Sequence, residues 1–153
     1  MPEYWTILLS LLRSIFYPAM FLAVGGVAFS LLMRPWLPAE IEGYLGRVTT
    51  HAALVALGLA MLQLPVTAGS LGGDLASAVD PLLLMLVVEA PVGRAALVAA
   101  GGLVLLLAAE RVPAAIPGVV RALPPAIVIL SMTLVGHATS RGLLTGLLLS
   151  LHL

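Results

Sequence analysis

The hydrophobic pattern of this chain is one of long apolar runs cut by short polar breaks. Ser14 to Met33 carries no charged residue. At about 1.5 Å per helical residue, such a run is long enough to cross a hydrocarbon core about 30 Å thick. It predicts a first membrane segment over about Ile7–Met33, split by Arg13, with Tyr4, Trp5 and Trp36 as interfacial belt residues. Pro18 is a candidate kink, and Gly25–Gly26 is a smooth patch that another helix can approach closely. Arg34 to Arg47 holds Pro35, Pro38, Glu40 and Glu42 and reads as a polar loop with a short interfacial turn. A second segment, Val48–Leu71, holds His51, Met61, Gln63 and Pro65 without formal charge, and Gly72-Gly73-Asp74 ends it.

Pro81–Val88 is apolar but too short to span, and Glu89, Pro91 and Arg94 close it. It predicts a short re-entrant or interfacial helix. A third segment over Arg94–Ala109 is lean and is expected to borrow a turn at either end. Val112–Ala122 reads as a proline-containing loop. A fourth segment covers Leu123–Ala138, with Pro124-Pro125 in its first turn, where proline is tolerated. The last run, Gly142–Leu153, is about half a span. The expected fold is an all-α polytopic transmembrane helical bundle of four full helices, a truncated fifth and a short interfacial helix. Residues 1–153 form one transmembrane domain, read as the N-terminal half of a larger membrane protein. Further helices or a second copy would supply the rest.

Composition agrees. With 61% hydrophobic residues, 9% charged and a mean hydropathy of +1.17, the chain holds more apolar surface than a soluble domain of this size can hide. A β-barrel would show alternation instead. Zero net charge gives no sign of a nucleic-acid partner. The absence of cysteine excludes disulfides and thiolate metal sites. No HExxH, nucleophile elbow or phosphate loop is present, so the chain is not read as an enzyme. All seven basic residues are arginines. Arg34, Arg47, Arg111 and Arg121 fall in the first-to-second and third-to-fourth loops, against Arg13, Arg94 and Arg141 on the other side. This asymmetry points the four toward the cytoplasm.

Imidazole and thioether are the soft or borderline ligands that remain. His137 and His152 lie in the last two runs, and an ionisable group on a membrane helix is a functional-site hypothesis by default. The bland alternative for His137 is an interfacial histidine bonded to a backbone carbonyl. His51, beside Arg47, reads as a capping or snorkelling residue. Met20, Met61 and Met132 are more often packing residues than metal stations. Glu89 and Arg94 flank a Pro-Val-Gly turn and suggest a structural ion pair. Asp74, Asp80 and Glu89 are candidate carboxylates at the outer mouth.

Several strings carry a family resemblance. Ala68-Gly69-Ser70-Leu71 ends the second segment. Val87-Val88-Glu89-Ala90-Pro91-Val92-Gly93-Arg94 follows an Asp-containing loop. Gly136-His137-Ala138 and Leu151-His152-Leu153 come later. In that order and spacing the chain resembles the N-terminal half of the CopD/PcoD copper-resistance membrane proteins. The resemblance covers nearly the whole chain. The small, aromatic and Gly-Gly residues that follow Leu-His-Leu in the family are absent. The resemblance implies a multi-pass protein of the bacterial inner membrane that carries copper and exchanges it with a CopC-type periplasmic carrier. It implies His137 and His152 as copper ligands, with Met132 and Met61 as secondary soft contacts. On straight helices the two imidazoles lie at different depths, so they share one ion only if the last segment bends, and otherwise act as successive stations. Two other functions stay open. One is a b-type haem electron-transfer module, which needs two imidazoles at similar depth on facing helices and is disfavoured by these depths. The other is a non-transporting membrane scaffold.

Overall fold

The structure, a computed structural model, describes residues 3–111 and 118–134. These fold as α-helices: α1 (Glu3–Met33), α2 (Ala39–Gly72), α3 (Pro81–Glu89), α4 (Pro91–Glu110) and α5 (Gly118–Met132). Short 3-10 turns at Arg34–Trp36 and Ala76–Val79 join α1 to α2 and lead into α3. The expected all-α membrane bundle is present. α1, α2 and α4 are long and apolar enough to cross a membrane. α5, at 15 residues, is shorter. The rest of the expected fourth segment, and the half helix Gly142–Leu153, lie outside the described residues.

α1 and α2 form an antiparallel hairpin. The Tyr4 hydroxyl at the start of α1 donates to the Gly73 carbonyl at the end of α2, at 3.0 Å. Gly73 adopts a left-handed conformation (φ +86°), and its N–H closes α2 on the Gly69 carbonyl at 2.8 Å. A residue without Cβ reaches that conformation without steric cost. α4 packs on α2, α5 packs on α4, and α5 returns to α1, so these four helices close into a ring.

The ring encloses Phe16, Met20, Ala23, Val24 and Val27 of α1 and Ala52, Ala53, Ala56 and Ala60 of α2. Ala99, Leu103 and Leu106 of α4 and Val128 of α5 complete it. Ala52, Ala56 and Ala60 recur every fourth residue, which puts them on one face of α2. Small side chains there let the helices approach closely, as membrane helices must when lipid is as apolar as their own surface. Of the Gly25–Gly26 patch, Gly26 is the half that meets α2: a Cβ there would overlap Thr49, whereas one at Gly25 meets nothing. Leu22, Phe29, Leu54, Leu62, Val104 and Leu105 stay exposed on the outer faces, where lipid would cover them.

Two boundaries differ from the expected ones. α2 starts at Ala39, not Val48, so most of the expected polar loop is helix. Pro38 fixes the entry, accepting from the N–H groups of Ile41 and Glu42 at 3.0 Å each. Glu40 and Glu42 lie in the first turn, where carboxylates favour the helix dipole. α5 starts at Gly118, so Pro124 and Pro125 sit inside it, not in its first turn. Both are buried, in a helix that packs on α4 and α1. Neighbouring helices commonly rescue prolines in membrane segments in this way.

The expected short helix is α3, and it is separate from α4. Asp80 caps it, accepting from Leu82 N at 2.8 Å and Leu83 N at 3.5 Å. Ala90 breaks the helix in an extended conformation, and α4 restarts on Pro91. A Cβ on Gly93 would collide with the Val87 carbonyl, so this tight passage needs glycine. α4 gains a turn at its start over the expected Arg94–Ala109 and ends at Glu110.

Candidate functional site

Helices α1, α2, α4 and α5 leave a cleft of about 230 Å³ between them. From α1 come Arg13, Phe16, Tyr17 and Met20; from α2, Gln63; from α4, Val92, Ala95, Ala96 and Ala99; from α5, Ser131 and Met132. The first-half residues of α1 and α4 meet the second half of α2 and the end of α5. The cleft therefore lies toward the bundle end that carries Tyr4 and Gly73. The alanines of α4 leave the volume open, and Arg13 is exposed at its edge.

The lining is unlike the rest of the ring. Met20 is 1% exposed and Gln63 8%. The Gln63 backbone carbonyl accepts from the Thr67 hydroxyl at 2.7 Å, but no described residue hydrogen-bonds its side-chain amide. The amide borders the cleft, so a water or a polar or cationic group entering the cleft can reach it. The Ser131 hydroxyl donates to the Val128 carbonyl at 2.6 Å, which leaves its oxygen lone pairs available. The cleft thus offers thioether sulfurs from two helices, an amide oxygen and a hydroxyl oxygen. All of these donors are neutral.

The expected site residues divide. Met132 lines the cleft. Met61 does not; it is 46% exposed, and Met20 takes the inner position instead. His137 and His152 lie outside the described residues. The His51 Nδ1 donates to the Arg47 carbonyl at 2.7 Å, one turn back on its own helix.

The carboxylates are engaged locally. Asp80 caps α3. Asp74 Oδ1 accepts from the Ser77 hydroxyl at 2.6 Å and from the Ser77 N–H at 2.8 Å. Those two bonds, the hydroxyl first, hold its pKa below the ordinary carboxylate value. Glu89 is exposed at the end of α3. Its side chain and that of Arg94 are not within ion-pair distance, which corrects the expected pair; an ion pair that is present joins Arg34 and Glu42 at 3.8 Å. The turn between α3 and α4 is instead held by backbone bonds, from Ala90 N to the Leu86 and Val87 carbonyls and from Arg94 N to the Ala90 carbonyl. Among the described residues no three His, Asp or Glu side chains gather as a metal cluster.

Sequence reasoning set Met20 aside as a packing residue and passed over Gln63. Arg13, Phe16, Tyr17 and Met20 follow the three- and four-residue spacing of one helix face. Gln63 is an uncharged polar residue in an otherwise apolar run. Both signals were in the sequence, but only the ring of helices brings them together.

The opposite end of the bundle is charged. Arg34 pairs with Glu42, Glu110 lies beside Gly46, and Glu110 and Arg121 line a small cleft of about 30 Å³ with Ser30 and Leu31. Arg34 and Arg121, with Arg47 and Arg111 beside Gly46 and Glu110 in sequence, therefore gather at this end. Residues 1–147 match the family profile described as copper resistance protein D-like, N-terminal domain. The chain belongs to that family. No curated protein and no solved structure matches it. This is therefore a membrane protein of a copper-resistance family, and the cleft lies inside its helical ring.

Proposed function

We propose that this protein carries copper across the bacterial inner membrane, taking it from or giving it to a CopC-type periplasmic carrier. The observation that supports this most is the cleft, a pocket of sulfur and oxygen donors set inside an apolar bundle of a copper-resistance family. The arginine-rich end faces the cytoplasm by the positive-inside tendency. The cleft then lies toward the periplasmic side, where a carrier could reach it. Between the cleft and the arginine end, Ala23, Val27, Leu103, Leu106 and Val128 pack closely and are all buried. Onward passage needs these side chains to part. His137 and His152 supply imidazole ligands on this reading, with Met132 the described methionine nearest His137 in sequence. Asp74, Asp80 and Glu89 sit toward the cleft end and add negative charge that attracts cations.

The test is copper accumulation in cells expressing wild type, His137→Ala, His152→Ala and the double variant at matched membrane levels. Transport through the histidines predicts a loss in each single variant and a larger one in the double. Wild-type accumulation in the double variant would refute the histidine assignment.

A further inference from the structure

We infer that the cleft is a thioether site selective for a soft monovalent cation, Cu(I) or its analogue Ag(I), with Met20 and Met132 as ligands and Gln63 as an oxygen donor. The inference rests on the copper-transport reading and adds the oxidation state and a ligand set. Met20 and Met132 approach the same space from α1 and α5, and Gln63 from α2. Thioether sulfur is soft and favours Cu(I); divalent copper prefers imidazole and charged oxygen. Among the described residues, no carboxylate or histidine lines the cleft. Neutral donors cannot offset a double charge in a bundle this apolar.

Arg13 strengthens the selection. Its guanidinium is always charged and stands at the cleft edge. Coulomb repulsion scales with the charge of the incoming ion, so a divalent ion meets twice the repulsion of a monovalent one at equal distance. The Gln63 amide, 8% exposed and without a hydrogen bond from any described residue, has its oxygen free for a cation. Met61, on the outer face of α2, takes no part.

The experiment uses the purified full chain in detergent, with Ag(I) and chelator-buffered Cu(I) as probes and Cu(II) as the contrast. Variants are Met20→Leu, Met132→Leu, the double, Gln63→Leu and Met61→Leu. Leucine keeps nearly the volume of methionine, and helical content by circular dichroism checks that each variant folds. The expected result is one Ag(I) equivalent lost in the double methionine variant. Each single variant should bind at least about tenfold more weakly, the least that a metal site loses with even a supporting residue. Met61→Leu should match wild type. Unchanged Ag(I) stoichiometry in a folded double variant would overturn the inference, as would Cu(II) binding that falls in parallel with Ag(I). The two readings fail differently. If only the cleft assignment is wrong, the histidine variants still lower copper accumulation while the methionine variants keep their Ag(I). If copper transport is wrong, no histidine or methionine variant changes accumulation in cells, whatever the Ag(I) result.

Discussion

The contact between Gly26 and Thr49 gives the sharpest test of the α1–α2 packing. A Cβ built on Gly26 overlaps the Thr49 hydroxyl but stands 3.4 Å from Thr49 Cβ and 3.6 Å from Cγ2, which are ordinary contacts. The collision is therefore with one oxygen. That oxygen is buried and has no hydrogen-bond partner, and a β-branched side chain in a helix has few rotamers to escape into. Gly26→Ala should cost about 1–3 kcal/mol in overpacking, less up to about 1 kcal/mol gained from helix propensity. The net is a destabilisation of between about 0 and 3 kcal/mol. Gly25→Ala, whose Cβ meets nothing, keeps the propensity gain without the clash. It should therefore be more stable than Gly26→Ala by the full overpacking term. Thr49→Ala removes the offending oxygen, so in the double variant the Gly26→Ala penalty should vanish. The double-mutant cycle should show a coupling of about 1–3 kcal/mol, within the range for residues in direct contact. The assay is reversible unfolding in mixed micelles, followed by helical circular dichroism. An additive cycle, or equal effects at Gly25 and Gly26, would refute this packing.

Asp80→Ala should destabilise α3 by about 1 kcal/mol, the usual worth of an N-cap, read as faster amide exchange at Leu82 and Leu83, while Asp80→Asn keeps most of the cap. Asp74 has a lowered folded pKa, so the stability it contributes is present above its ordinary value of 3.8 and is lost as pH falls through the lower folded value. Wild type and Asp74→Asn should accordingly differ near neutral pH and converge in acid, and a difference that grows on acidification would contradict that sign. Single cysteines at Glu40 and Ile116 should resist an impermeant thiol reagent in intact cells; labelling of both would reverse the orientation.

What was legible in the sequence follows from the solvent. A bilayer demands long uncharged helices, so α1, the apolar part of α2 and α4 could be read from the spacing of charges alone. The break at Glu89-Ala90-Pro91 was legible because a charge, an extended pre-proline residue and a proline coincide. The starts of α2 and α5 were not. Pro38, Glu40 and Glu42 look like a loop by composition, yet a proline before the first turn and carboxylates within it are also what begins a helix. The interior prolines of α5 are tolerated because of neighbours that no local pattern reveals. Met132 could be proposed from its place beside His137. Met20 could not be preferred to Met61, because the choice depends on which face of each helix points into a ring whose order, α1–α2–α4–α5, is a long-range property.

The helix break and the cleft belong to one arrangement. α3 and α4 together contain 29 residues, nearly as many as the 31 of α1 and the 34 of α2, yet they do not run as one rod. Leu64 and Ala68 of α2 pack on Val87 of α3, with Leu83, Leu84 and Ala96 around them. The cleft begins at Val92, just past the break, and its α4 wall is Ala95, Ala96 and Ala99. The break turns the bulky leucines of α3 onto the end of α2, and the small residues of α4 then face Gln63, Met20 and Met132. Irregular backbone inside an apolar bundle is tolerated where it lies beside a cavity, and this break lies beside the cleft. Gly93 makes the interruption tight, because any Cβ would meet the Val87 carbonyl. The Val-Val-Glu-Ala-Pro-Val-Gly-Arg string that carries part of the family resemblance is thus also the string that builds the break beside the cleft.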